Sequence, residues 1–212
     1  MKVINAGVEI MSKFDGEEVL KHIERCGRTC YKSESKITDG SAKTFVSNII
    51  KRGHESVLEH FSITVRFICD RAVSHEIVRH RIASFSQEST RYCNYSSDGF
   101  GHEITVIKPV FFEEGSEAYY AWYCACQEAE YKYFGFIGKG FTPEVARSVL
   151  PNSLKTEVVM TANLREWRHF LKLRCSKAAH PQMREVADIL LCELHEAVPV
   201  VFDDIVAEYW SE

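Results

Sequence analysis

The chain has 212 residues, 45% hydrophobic and 26% charged, which is enough apolar material for one large domain, 1–212, with a buried core. A formal net charge of −4 speaks against a protein that coats phosphate backbones, because such proteins are basic; no nucleic-acid partner is expected. There is no apolar run of about 18 residues, and Met1–Ile10 carries one lysine and no long apolar stretch. Neither a membrane span nor a secretory leader is therefore expected, and the chain reads as cytoplasmic.

In chain order, Lys2 to Met11 predicts a strand. Asp15, with Glu18 three residues on, predicts a capping box opening a helix that carries Val19, Leu20, Ile23, Cys26 and Cys30. A second helix is expected from Ser41 to a C′ glycine at Gly53. Phe61, Ile63, Val65, Phe67 and Cys69 alternate with more polar residues and give the cleanest strand pattern in the chain. Asp70 caps a short helix that delivers Arg79 at its end. Ile82 to Ser89 is polar and irregular and reads as a loop.

His102 to Ile107 predicts another strand, closed by Pro109. Glu113 to Phe136 predicts a long helix with the stripe Tyr119, Trp122, Tyr123, Cys126 and Tyr133, whose plainest use is core or subunit packing. Thr142-Pro143 starts a helix that Pro151 ends. Glu157 to Thr161 reads as a strand. Asn163 and Glu166 form a second capping box, opening a helix to about Arg174. Pro181 begins the last long helix, to about Leu194. Strands and helices mix without a βαβ rhythm, so the expected class is α+β, with a mostly antiparallel central sheet flanked by helices.

Several motifs fail. His75-Glu76 would need a histidine at 79 for a zinc protease, and Arg79 stands there; His80 lies about 140° round a helix from His75. His54-Glu55 fails likewise at Leu58. There is no P-loop. Gly99-Phe100-Gly101 has Ile104 where a dinucleotide fingerprint needs glycine. None of the eight cysteines forms a C-x-x-C pair, so a zinc ribbon is not expected, the thiols read as free, and no metal is expected.

Residues 79 to 91 read RHRIASFSQESTR. Arginine offers fixed, forked donors suited to phosphate and carbonyl oxygens, and serine hydroxyls with backbone N–H groups complete such a cradle. A solvated charged turn is the alternative for RHR alone; the density of polar groups along the whole stretch argues for a binding site. A single-stranded nucleic-acid groove built on Arg79, Arg81, Arg91 and the aromatics is the rival from another class, and the acidic balance opposes it.

RHR followed after seven residues by Ser89 resembles the signature of the flavin-dependent thymidylate synthases. Further blocks recur in order. His54-Glu55-Ser56-Val57-Leu58-Glu59-His60 resembles the family's segment before a strand, with Val57 where proline is common. Ser86-Gln87-Glu88-Ser89-Thr90-Arg91-Tyr92 resembles its nucleotide loop. Glu144 to Pro151 matches another block, and Asn163-Leu164-Arg165 with His169, Leu173 and Arg174 matches a fourth. Ala179-His180-Pro181-Gln182 departs where a glutamine often follows alanine.

The resemblance implies reductive methylation of dUMP to dTMP. Carbon would come from 5,10-methylenetetrahydrofolate and hydride from FAD, recharged by NADPH, without a cysteine nucleophile. It implies dUMP contacts at Glu76, Arg79, Gln87, Glu88, Ser89, Thr90, Arg91, Arg147 and Arg174, with Arg174 polarising uracil. It implies FAD contacts at Ser56, Arg79, His80, Arg81, Gln87, Asn163, Arg165 and His169, with His54 and Tyr92 near flavin or folate. It also implies a homotetramer with active sites between subunits. Cys175, beside Arg174, invites a thiolate reading, which needs exposure as well as a neighbouring charge.

Overall fold

The structure, a computed structural model, describes residues 1–210. The first apolar run forms two strands rather than one, β1 (Lys2–Ile4) and β2 (Gly7–Ile10). They part because they pair differently: β1 lies parallel to Thr105–Ile107, whereas β2 is an edge of a four-stranded sheet. α1 (Gly16–Thr29) starts as its cap requires, the Asp15 carboxylate accepting from Glu18 N–H at 3.0 Å. It buries Val19, Leu20 and Ile23, while Cys30 lies past its end and is exposed. α2 (Ser41–Lys51) ends at Gly53, whose φ of +70° is a conformation that a side chain would strain.

β3 (Ser62–Asp70) alternates as expected, with Ile63, Val65, Phe67 and Cys69 fully buried. Asp70 then caps α3 (Arg71–Ile77), accepting from Val73 N–H at 2.7 Å, and Arg79 follows just past the helix end. The stretch expected as a loop contains a strand, β4 (Ser84–Gln87), at the other edge of the four-stranded sheet. An edge strand needs only backbone pairing, and here Phe85 and Gln87 are half-buried while Ser84 and Ser86 face solvent. That is the alternation of a strand written in polar letters.

β5 (Thr105–Ile107) is shorter than His102–Ile107 because Gly101 and His102 hold left-handed φ values of +67° and +56°. It pairs with β1 in the register Lys2↔Thr105, Val3↔Val106, Ile4↔Ile107. α4 (Glu117–Gly138) begins later than Glu113, since Gly115 at φ +86° breaks the chain and Ser116 then caps, accepting from Tyr119 N–H at 3.1 Å. Of its stripe, Cys126 and Tyr133 are buried; Tyr119, Trp122 and Tyr123 are half-buried. The helix expected from Thr142 to Pro151 is one α-turn, α5 (Pro143–Ala146), followed by a 3-10 turn over Arg147–Val149.

β6 (Lys155–Asn163) is longer than expected and buries Thr156, Val158, Met160 and Ala162 on one side. α6 (Leu164–Arg174) opens at Asn163, which accepts from Glu166 N–H at 2.9 Å. α7 (Pro181–Ala197) is not the last helix: after a bend at Val198, α8 (Pro199–Trp210) starts on a proline that needs no N–H partner. The sheet order is β2-β3-β6-β4, antiparallel and flanked by helices, so the class is α+β.

The chain divides into two units, with β3 and β6 running from one into the other. The first comprises Met1–Gly7, Phe67–Arg79 and Phe85–Val159; its core gathers Ile104, Val106, Cys126, Tyr133, Ala146 and Leu154. The second comprises Val8–Arg66, His80–Ser84 and the chain from Met160 on; α1 packs on α2, and α6, α7 and α8 pack on one another. Its buried residues include Ile23, Val46, Leu58, Trp167, Phe170 and Phe202.

Candidate active site

Eight of the expected site residues, from Glu76 to Arg147, lie in the first unit, and Tyr92 lies with them. Arg79 is exposed at the end of α3. Beyond β4 the chain turns sharply. Tyr92 and Cys93 N–H donate to the Ser89 carbonyl at 3.1 and 2.9 Å, and Arg91 N–H donates to Ser89 Oγ at 3.3 Å. Arg147, on the 3-10 turn after α5, donates from Nη1 to Thr90 Oγ1 at 3.3 Å. Arg91 Nε pairs with Glu144 Oε1 at 2.8 Å, and its guanidinium lies over the exposed Tyr92 ring. Thr90 and Arg147 line a cavity of about 430 Å³ together with Arg71, His75, Ser148 and Asn152.

Beneath this turn the polar groups are tied to α3 and β6. Gln87 Nε2 donates to Ser74 Oγ at 2.9 Å and to Thr156 Oγ1 at 3.4 Å, so its amide nitrogen faces inward. Arg71 Nη1 donates to the Glu88 carbonyl at 3.3 Å. The Glu88 carboxylate is met by Lys155 and Tyr95. Sequence reasoning missed Arg71, Ser74, Tyr95, Lys155 and Thr156. The two-residue period of β6 would have put Lys155 and Glu157 on one face, opposite the buried Thr156.

The second unit holds His54, Ser56, His80, Arg81, Asn163, Arg165, His169 and Arg174. His54 and Ser56 line a cavity of about 910 Å³ with Arg28, Phe45 and Arg52. Gly27 also borders it, and a Cβ there would lie 2.5 Å from the tip of the Phe45 ring of α2, which would have to shift to admit a side chain. Asn163, Arg165 and His169 line another cavity, of about 540 Å³, with Glu59, Glu166 and Lys172. Arg165 Nη1 pairs with Glu59 Oε1 at 2.6 Å. Arg81 is exposed.

His80 is different from its two arginine neighbours: it is buried, against Phe170 at a ring distance of 4.7 Å. Arg174 Nε donates to His80 Nε2 at 3.2 Å. Nε2 therefore accepts, and the ring proton sits on Nδ1, which faces Glu166 Oε1 at 3.1 Å. Glu166 thus gives its backbone N–H to the Asn163 cap and engages His80 with its side chain. Burial lowers the His80 pKa, and the Arg174 charge adds to this; the Glu166 carboxylate opposes both without reversing the shift. The result is a neutral imidazole between a carboxylate and a guanidinium, along one face of α6.

The ligand atoms of His80, Glu166 and His169 lie within 4.8 Å of one another. A cation taken at Nδ1 would displace the proton that goes to Glu166 and leave Nε2–H opposite a guanidinium donor, so this arrangement suits the imidazole better than an ion. All eight cysteines are free thiols. Cys175, beside Arg174, is buried, and burial followed by the nearby Asp188 carboxylate pushes its thiol well above the ordinary range.

A sequence model described as "Thymidylate synthase complementing protein" matches residues 12–200. The flavin-dependent thymidylate synthase of Geobacter sulfurreducens is 35% identical over 190 residues, spanning 84% of this chain and 78% of that protein. The Corynebacterium glutamicum protein of the same name is 32% identical over 222 residues, spanning 96% of this chain and 85% of its own. Among solved structures, a UMP/dUMP methylase, PolB, from Streptomyces cacaoi, bound with 5-Br dUMP, superposes with a TM-score of 0.78 over 99% of this chain and 98% of that one, at 22% identity, and so shares the fold. With the matched span running through the Ser89–Arg91 turn, His80 and α6 alike, the chain belongs to the flavin-dependent thymidylate synthases.

Proposed function

We propose that the chain converts dUMP to dTMP, taking carbon from 5,10-methylenetetrahydrofolate and hydride from FAD that NADPH has reduced. One observation carries the reading: exposed Arg91 and Arg147 flank a turn whose underside is fixed to α3 and β6. Forked cations over a pinned backbone suit the phosphate and sugar of a nucleotide. A fold shared with a methylase acting on UMP and dUMP supports the same substrate class.

FAD fits the second unit's donor set. Arg165, Lys172, His169 and the Asn163 amide gather at one cavity and match a ligand with phosphates and polar ring edges, while Ser56 and His54 border the larger one. These residues would hold FAD there, and the chemistry it would supply is hydride transfer to the carbon that becomes the methyl group. Arg81, exposed beside this region, adds a cation for the pyrophosphate.

C5 of uracil is a poor nucleophile. Arg174 answers this with its charge, stabilising negative charge over N3 and the adjacent carbonyls so that electron density rises at C5. His80 accepting at Arg174 Nε fixes the direction of the guanidinium plane. A cysteine nucleophile is not needed, and the buried, strongly protonated Cys175 supports that. Ser89 binds and positions. The assembly expected is a homotetramer with active sites between subunits, consistent with the large exposed rings of Tyr120 and Tyr131 on α4.

The test is dTMP formation from dUMP, the folate and NADPH, followed chromatographically. Arg174→Ala is expected to lower turnover by about 10²–10³-fold while retaining flavin and fold. Near-normal turnover in that variant removes Arg174 from the chemistry, and a flavin-loaded wild type that makes no dTMP removes the reading itself.

A further inference from the structure

Glu88 lies within the turn assigned to the nucleotide, yet its carboxylate is only 13% exposed and is committed within the chain. Oε2 accepts from Lys155 Nζ at 3.0 Å, and Oε1 accepts from the Tyr95 hydroxyl at 3.2 Å. Lys155 Nζ also donates to Glu157 Oε1 at 2.6 Å. The Glu88 backbone is held as well: its N–H donates to the Glu157 carbonyl at 2.9 Å, and its carbonyl accepts from Arg71. Tyr95 is itself buried, and its N–H donates to the Tyr133 hydroxyl of α4 at 3.4 Å. Four groups thus converge on the one residue that immediately precedes Ser89, Thr90 and Arg91.

The charge balance makes Lys155 the centre of this cluster. One ammonium stands between two carboxylates. Burial alone would lower its pKa, but the hydrogen bonds to Glu157 and Glu88 outweigh it and hold the group above the ordinary lysine value. Removing the ammonium would leave two partly buried carboxylates facing each other, an arrangement relieved only if Glu88 swings outward. The backbone of the turn would follow.

We propose that Lys155, seconded by Tyr95, is a positioning residue that clamps Glu88 inward and so presents Ser89–Arg91 to the sugar-phosphate side of a pyrimidine nucleotide. The inference rests on the reading of this turn as the nucleotide site. In it Glu88 serves the ligand through the backbone, and Lys155 never touches the ligand. A role confined to the stability of the sheet would lower the melting temperature without singling out nucleotide affinity.

The experiment uses the flavin-loaded full chain, with dUMP binding followed by calorimetry and turnover by dTMP formation. Lys155→Met should raise the dUMP Kd and KM about tenfold, with flavin content unchanged and kcat falling far less than KM rises. Lys155→Arg, which keeps a cation in reach of both carboxylates, should restore affinity to within about threefold of wild type. Tyr95→Phe, which deletes one oxygen, should weaken binding about threefold and decides the matter if Lys155→Met does not fold. A Lys155→Met Kd within about twofold of wild type, a loss of kcat at constant KM, or failed rescue by arginine overturns the clamp while wild type still binds dUMP. Wild type that binds no dUMP overturns the nucleotide reading, and the clamp with it.

Discussion

Arg91 and Arg147 lie exposed beside the turn that Glu88 anchors, whereas Arg168, in the other unit, is 1% exposed and surrounded by the chain's own acceptors. Arg168 donates to both Asp204 carboxylate oxygens at 2.7 Å, to Glu55 Oε1 at 3.0 Å and to the Val201 carbonyl. It joins α6 to α8 and to the segment that holds Ser56. The Ser89–Arg91 turn therefore keeps its cations at the surface and buries its supports. The second unit buries a cation outright and leaves Arg81, Arg165 and His169 exposed. An exposed arginine is available to a ligand; a buried one whose two terminal nitrogens are committed to the chain's own acceptors answers to the fold.

That contrast breaks first at Arg168. Arg168→Met should destabilise the protein by about 3–5 kcal/mol, because Asp204 and Glu55 lose their common partner while remaining partly buried. Denaturant melts measure it, and Asp204→Leu added to the variant should recover part of the loss. Arg91→Ala, in the exposed class, should change stability by less than about 1 kcal/mol. Equal stability losses at the two positions would erase the distinction.

His80 sharpens the same contrast through pH. Its native pKa is lowered, so in the window between that value and the ordinary 6.5 the unfolded chain binds a proton that the native chain does not. Stability contributed by the neutral ring is present above 6.5 and is lost as the pH falls through the native pKa. Acid melts should show this decline in wild type and a weaker one in His80→Gln. An unchanged pH profile in that variant would mean that the imidazole titrates freely and does not set the Arg174 geometry.

Much of this organisation was legible in the sequence, and the parts that were not share a cause. Asp15, Asp70 and Asn163 announced three helix starts, since a cap is a local hydrogen bond between neighbours. The alternation of β3 was plain because its buried face is apolar. β4 was hidden because its pairing lies in the backbone and its letters are serine, phenylalanine and glutamine. The division at Asn5 and Ala6 depends on partners a hundred and more residues distant in one case, and no local pattern encodes it. For the site, arginine and serine types marked the turn, but Lys155 and Tyr95 carry no motif and gain meaning only when β6 is laid against Glu88.

The smallest effect is expected at Cys175, and it tests whether proximity in sequence means proximity in chemistry. The thiol follows Arg174 directly, yet it is 3% exposed, and burial with the Asp188 charge holds it protonated. A thiolate would need the opposite surroundings, exposure and a neighbouring positive charge. Cys175→Ser keeps a hydroxyl for Asp188 and should leave turnover within about twofold of wild type, with a stability change near 1 kcal/mol. In the native protein, Cys30 and Cys192, both exposed, should react with an alkylating reagent while Cys175 stays unmodified. Rapid labelling of Cys175, together with lost turnover in the serine variant, would return a thiol to the reaction and remove the need for Arg174 to activate uracil alone.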